Sequence, residues 1–418
     1  MFLARVLIAT AFALVVATPP APASNCAGTS TGLIPLTELG AGLYKGYPGG
    51  LYGNGSNSRP AVHDSAGLAI ANAIAPLDTL GNPAANGRVT LISIGMSNGT
   101  QEFSTFVPLA NADAQRDPHV LVIDCAQGGQ ATQDIRLPTA AYWDTVGTRL
   151  RGHGSSPLQA QVVWIKEARR QPTEPFPASA ESLTNDLGRV VRIIHSKLPN
   201  VKLVYFTSRI YAGYATSALN PEPYAYESGF AEKWLIGAQI AGIDSLNFDP
   251  AAGPVRAPWL SWGPYLWADG ETPRTDGLVW HCSDFQSSDG THPSTSGREK
   301  VADSLLAFFH QESTAIPWYL RQTTAVPHTI GARLALSVAP NPAVDGIELA
   351  FVAPRGETWR LELLDVAGRS VAALGSGAGS GALETVRWNA RRGRSGLYWA
   401  RLVTSAGTIA RRVVLIGR

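Results

Sequence analysis

The 418-residue sequence is short of charge, of cysteine and of methionine. Charged side chains make up 16%, and 34 Lys and Arg stand against 32 Asp and Glu, a net charge of +2. So balanced a chain sets up no long-range field that would draw nucleic acid, and none is expected as a partner. Sparse charge over polar loops suits an extracellular surface. Three cysteines, Cys26, Cys125 and Cys282, are too few for a disulfide framework and leave room for one bridge and one thiol. Beyond the N-terminus no apolar run is long enough to cross a bilayer.

What is abundant is turn-forming: 42 glycines and 29 prolines with no collagen period. The first 23 residues form a distinct segment. Arg5 precedes the apolar run Val6–Ala17, and Ala21-Pro22-Ala23 supplies small residues at a cleavage site. Residues 1–23 therefore predict a signal peptide cleaved before Ser24, and an exported protein, secreted or at the surface of a bacterial cell.

Residues 24–312 read as one α/β domain. Buried parallel strands are expected at 88–94, 120–124, 160–168 and 201–209, each a dense apolar run. Before, between and after them lie helical segments at 65–74, 182–199, 226–240 and 297–310. In the second of these, Leu183, Leu187, Val190, Val191, Ile194 and Leu198 fall on one face. Alternating strands and helices predict an αβα sandwich around a parallel sheet. Residues 247–288 read as loop; Trp259, Trp262, Trp267 and Trp280 there are split between core packing and a carbohydrate-facing wall. His63, Asp64 and His195 read as structural. A linker at 313–333 precedes a run of short alternating strands over 334–418, a small all-β sandwich.

The chemistry gathers at the carboxyl edge of such a sheet. There the sequence places Ser97 in the turn Gly95-Met96-Ser97-Asn98, then Gly128-Gly129, Glu167, Ser208 and the 280–292 loop. A nucleophilic serine needs a base within hydrogen-bond reach and an acid to orient that base. Asp289 and His292, three residues apart before the last helix of the domain, meet both needs from one loop. The competing reading of Ser97 is a helix N-cap. The backbone N–H groups of Ser97 and of Gly128 or Gly129 are candidate oxyanion donors. Cys125 and Cys282 form the expected disulfide, provided their loops share one edge of the sheet. His281, Cys282, Asp284, Asp289 and His292 cluster within twelve residues, but in no common zinc spacing, and no metal is expected.

On these residues the chain resembles the SGNH (GDSL-like) serine hydrolases over about residues 88–311. The matching blocks are Gly95-Met96-Ser97-Asn98, Gly128 or Gly129 within Cys125–Gln130, and Asp289-Gly290-Thr291-His292 before a helix. The resemblance implies a flavodoxin-like αβα fold and a Ser97–His292–Asp289 triad. It also implies a glycine N–H in the oxyanion hole, no cofactor, and ester substrates, often acylated saccharides. Met96 stands where the family commonly has aspartate. The third block, Trp164-Ile165-Lys166-Glu167, lacks the family's Asn or Gln, leaving Lys166 or Asn98 as side-chain oxyanion candidates. Residues 334–418 are similar to the Ig-like domains, of hook-capping and secretion-sorting type, that end bacterial secreted proteins. Ala339-Pro340-Asn341-Pro342, Leu363–Arg369 and Ser395-Gly396-Leu397-Tyr398 carry that likeness. It implies contact with secretion machinery or the cell surface. Two functions stay open at this point. One is a secreted serine esterase removing acyl, chiefly acetyl, groups; the other is a non-catalytic carbohydrate-binding protein on a degenerate hydrolase scaffold.

Overall fold

The computed structural model describes residues 23–321 and 335–416, apart from 345, 354, 367, 390–394 and 405–406. The expected signal segment, except Ala23, and most of the expected linker lie outside the described residues. The chain divides into two compact units, Met1–Gln322 and Thr323–Arg418.

The first unit holds a five-stranded parallel sheet of β1 (Val89–Gly95), β2 (Val120–Ile123), β3 (Ala160–Lys166), β4 (Leu203–Phe206) and β5 (Trp259–Trp262), in the order β2-β1-β3-β4-β5. Every residue of β1, β3, β4 and β5 is buried, which explains why their sequences run apolar without alternation. The long helices are α1 (Ala61–Asn72), α2 (Ser97–Ala112), α3 (Ala141–Gly152), α4 (Ala178–Lys197), α5 (Tyr224–Ile240) and α6 (Thr295–Gln311). Helices α2 and α6 pack together, as do α4 and α5, and the sheet lies between helical layers. The αβα architecture is the expected one.

Strand β5 is a difference from the sequence reading, which had loop there. Prolines 258 and 264 bracket it, and a four-residue strand between prolines gives no periodicity to read. The tryptophans around it are core and build no exposed wall. Trp259, Trp262, Trp267 and Trp280 are all at most 3% exposed. Each indole N–H has an internal acceptor: the carbonyls of His63, Leu51 and Leu266 for Trp259, Trp262 and Trp280, and Glu222 Oε1 for Trp267.

The disulfide is also a correction. Cys26 pairs with Cys282, not Cys125 with Cys282. The N-terminal strap is hydrogen-bonded over the late loop, Ser24 N–H to Ser287 O at 2.8 Å and Asn25 N–H to Tyr214 O at 2.9 Å, which lays Cys26 on Cys282. Cys125 instead turns into the core just past β2, fully buried, and burial pushes its thiol up to about 12.

The second unit is an antiparallel sandwich. Its strands are β6 (Ala335–Ala339), β7 (Ile347–Val352), β8 (Thr358–Asp365), β9 (Ser370–Ala378), β10 (Leu383–Trp388), β11 (Gly396–Thr404) and β12 (Gly407–Leu415). They form one sheet ordered β9-β8-β11-β12 and another ordered β10-β7-β6. Strand β7 alternates buried and half-buried along its length, and Leu349, Phe351, Leu361, Leu363, Leu402 and Val413 fill a core of its own.

Candidate active site

Strand β1 ends at Gly95 and α2 begins at Ser97, with Met96 extended between them. Gly95 is required by close approach: a Cβ there would lie 2.6 Å from Lys166 O on β3. Its N–H is held by Tyr142 Oη at 2.9 Å, and its carbonyl accepts from Gln127 N–H at 2.9 Å. Asp124, just past β2, accepts from Ser93 Oγ at 2.5 Å and from Thr100 Oγ1 in the first turn of α2. The strand-to-helix turn is thereby braced from both sides, with Ser97 at the positive end of a sixteen-residue helix.

Opposite Ser97 stands the loop before α6. Ser97 Oγ lies 2.9 Å from His292 Nε2, and His292 Nδ1 lies 2.5 Å from Asp289 Oδ2. The other carboxylate oxygen, Oδ1, accepts the N–H groups of Thr291 at 2.8 Å and His292 at 3.0 Å. Burial raises the Asp289 carboxyl, but these donors outweigh it and hold the group below its ordinary value. Gly290 has φ +61° and sits where a Cβ would meet Tyr214 O at 2.0 Å, so the tight turn admits no side chain. Asn98 Nδ2 donates to Thr291 O at 3.1 Å, tying α2 to this loop. That bond engages the Asn98 amide in positioning.

Ser97 and His292 open on a cavity of about 300 Å³, which Met96, Gly129, Arg209 and Asn220 also line. Of the two candidate glycines, Gly129 (φ +74°) lines it and Gly128 does not. Lys166 is a further correction. Its ammonium is fully buried and donates to both Glu102 oxygens at 2.7 Å, away from the cavity wall. Burial disfavours both charges, lowering Lys166 to about 8 and raising Glu102, and their attraction offsets only part of this. The third block therefore makes an internal ion pair between β3 and α2 and supplies no oxyanion donor. Glu167 is likewise 1% exposed, and burial drives its carboxyl well above the usual range. Ser208 accepts from Leu266 N–H at 3.0 Å and is structural.

The metal-like cluster disperses. Cys282 is disulfide-bonded, His281 Nδ1 meets Glu271 at 2.7 Å, and Asp284 holds Lys300. Among the described residues no group of three or more His, Cys, Asp and Glu side chains converges as a metal would require. No helix of the described residues is long and apolar enough to cross a membrane.

Two wall residues escaped the sequence reading. Arg209, three residues past β4, is 2% exposed, and Asn220, at φ +60°, is 6% exposed. A charge straight after a buried strand, at the edge where Ser97 sits, was the available signal for Arg209. Asn220 lies in a loop far from every motif and gave none.

No family model matches the chain, and no curated protein matches it. Solved structures give distant likenesses. A candidate acylhydrolase from Bacteroides fragilis is 15% identical with a TM-score of 0.31, over 62% of this chain and all of the other. The salicylyl-acyltransferase SsfX3 of a tetracycline biosynthetic pathway is 16% identical with a TM-score of 0.28, over 54% of this chain and 55% of its own length. PorU from Porphyromonas gingivalis is 19% identical with a TM-score of 0.18 over 20% of this chain, and the chain spans 9% of that protein's length. Similarity at this level assigns no function.

Proposed function

We propose that the chain is an exported serine esterase of SGNH type that removes acyl groups, chiefly acetyl, from a saccharide or similar ester. The observation that carries this reading is the unbroken relay from Ser97 through His292 to Asp289, 2.9 and 2.5 Å long, at the mouth of a cavity. His292 takes the Ser97 proton as Oγ attacks the ester carbonyl, and Asp289 holds the imidazole in the tautomer that presents Nε2. The N–H groups of Ser97 and Gly129 receive the oxyanion, aided by the N-terminus of α2. His292 returns the proton to the departing alcohol, then activates water against the acyl-serine. Residues 1–23 export the protein, and the β-sandwich serves as a sorting or surface module.

The test is hydrolysis of a small aryl acetate by the full chain and by Ser97→Ala and His292→Ala. Each substitution is expected to lower kcat on the order of 10⁶-fold with the fold intact by circular dichroism. Undiminished turnover in Ser97→Ala defeats the proposal.

A further inference from the structure

The cavity wall carries three guanidinium groups, Arg169, Arg170 and Arg209, and no Asp or Glu. Two of the three have a carboxylate within 4 Å, though Arg169 shares its Asp186 with Arg136, which binds it at 2.8 Å. Arg169 faces Asp186 at 3.7 Å, and Arg170 meets Asp134 at 2.6 Å and Gly129 O at 2.5 Å.

Arg209 is different. It is 2% exposed, and among the described residues its side chain has one hydrogen-bond contact, Nη1 to the Met96 thioether at 4.0 Å, a weak acceptor. Its Nε has no hydrogen-bond partner, and it makes no salt bridge among the described residues. Of the four acidic groups that attract it from further off, three are committed elsewhere. Glu102 holds Lys166, Asp289 holds His292, and Glu222 accepts from Ala212 N–H, Tyr226 N–H and Trp267 Nε1. The fourth, Glu167, accepts from Ala168 N–H through Oε2 only, makes no contact with Arg209 among the described residues, and burial favours its neutral form. A guanidinium taken out of water without a paired anion costs several kcal/mol. Proteins tolerate that where a ligand completes the pair.

We propose that Arg209 is the receptor for a carboxylate carried by the substrate, so that the ester cleaved at Ser97 is an anionic one. This rests on the esterase reading and narrows its substrate class. The planar fork of Arg209 binds a carboxylate through two parallel N–H bonds, which an ammonium cannot imitate. Because Arg209 touches Met96, the neighbour of Ser97, the carboxylate belongs close to the scissile bond. Met96, Ala131, Ala168 and Leu219 give the cavity apolar walls suited to a short carbon chain between the two.

Two matched pairs of esters test this on the full chain. Para-nitrophenyl hydrogen glutarate against para-nitrophenyl pentanoate places the carboxylate in the acyl part. Para-acetoxybenzoate against para-acetoxybenzamide places it in the alcohol part. In one pair the anionic member is expected to have a kcat/KM about 100-fold above its neutral partner, equal to about 2.7 kcal/mol. The pair that shows this tells which side of the ester carries the charge. Arg209→Met should bring that ratio close to one, and Arg209→Lys, which also serves if the Met variant fails to fold, should lower it about tenfold.

A ratio near one in the native protein for both pairs overturns the proposal. So does a fall of both members together in the variants, which would mark Arg209 as an oxyanion or structural group. Should the native protein cleave none of the four esters, the esterase reading fails by itself. Glutarate binding then decides: a rise in Tm with glutarate, absent in the Arg209 variants, supports the receptor, and no rise overturns it.

Discussion

In the proposed mechanism Asp289 does two jobs through two oxygens, one fixing His292 Nδ1 and the other closing its own loop through two backbone N–H groups. Asp289→Asn keeps the shape but loses the acceptor that selects the imidazole tautomer, and kcat should fall on the order of 10⁴-fold. A loss below tenfold would remove Asp289 from the relay. Stability gives a second readout. The Asp289 carboxyl sits below its ordinary value in the fold, so its ionised form stabilises the native state above the unfolded pKa of about 3.9. That contribution disappears as pH falls through the depressed native value. Urea unfolding at neutral pH should show native protein ahead of Asp289→Asn, with the gap closing in acid. A gap that widens in acid contradicts the sign.

At the scale of elements, the Lys166–Glu102 pair joins β3 to α2 beneath the Ser97 turn. Removing one partner strands a buried charge, so Glu102→Ala should cost about 3–5 kcal/mol in denaturant unfolding. The double change Glu102→Leu with Lys166→Met should recover much of that loss; no recovery would mean that packing, not charge, is what matters there. The Cys26–Cys282 bond braces the loop leading to Asp289, and Cys26→Ser should lower stability by about 2–4 kcal/mol. Thiol titration checks the pairing: no reactive thiol in the native protein, one after unfolding without reductant, three after reduction. A disulfide peptide containing Cys125 would refute it.

These elements also show what could be read in advance. The sheet strands β1, β3 and β4 announce themselves because burial on both faces demands unbroken apolar runs, the edge strand β2 because three of its four residues are buried, and α4 because one helical stripe is buried. That Ser97, Asp289 and His292 would meet could be read because a hydrolytic triad, as proposed, asks for fixed residue types, two of them three apart in one loop. The disulfide partner could not be read, since Cys26 reaches Cys282 through a strap whose path depends on hydrogen bonds to residues distant in the sequence, among them Ser287, Tyr214, Tyr211 and Asp269. Lys166 misled for a similar reason. Its place at a strand end is visible in the sequence, but the direction of its side chain is fixed by Glu102, sixty-four residues away.

For the whole molecule, each unit has its own hydrophobic core, Leu36 to Tyr319 in the first and Leu336 to Leu415 in the second. Separate cores predict two unfolding transitions in calorimetry, and a chain ending at residue 321 that keeps the upstream site; one merged transition would argue against independent units. In the proposed esterase everything depends on Ser97 being a nucleophile activated by His292. The most direct measurement is labelling of the full chain with a fluorophosphonate, followed by mass mapping of the adduct. A single adduct on Ser97 is expected, lost in His292→Ala. Label on another residue, or none on natively folded protein, would contradict it.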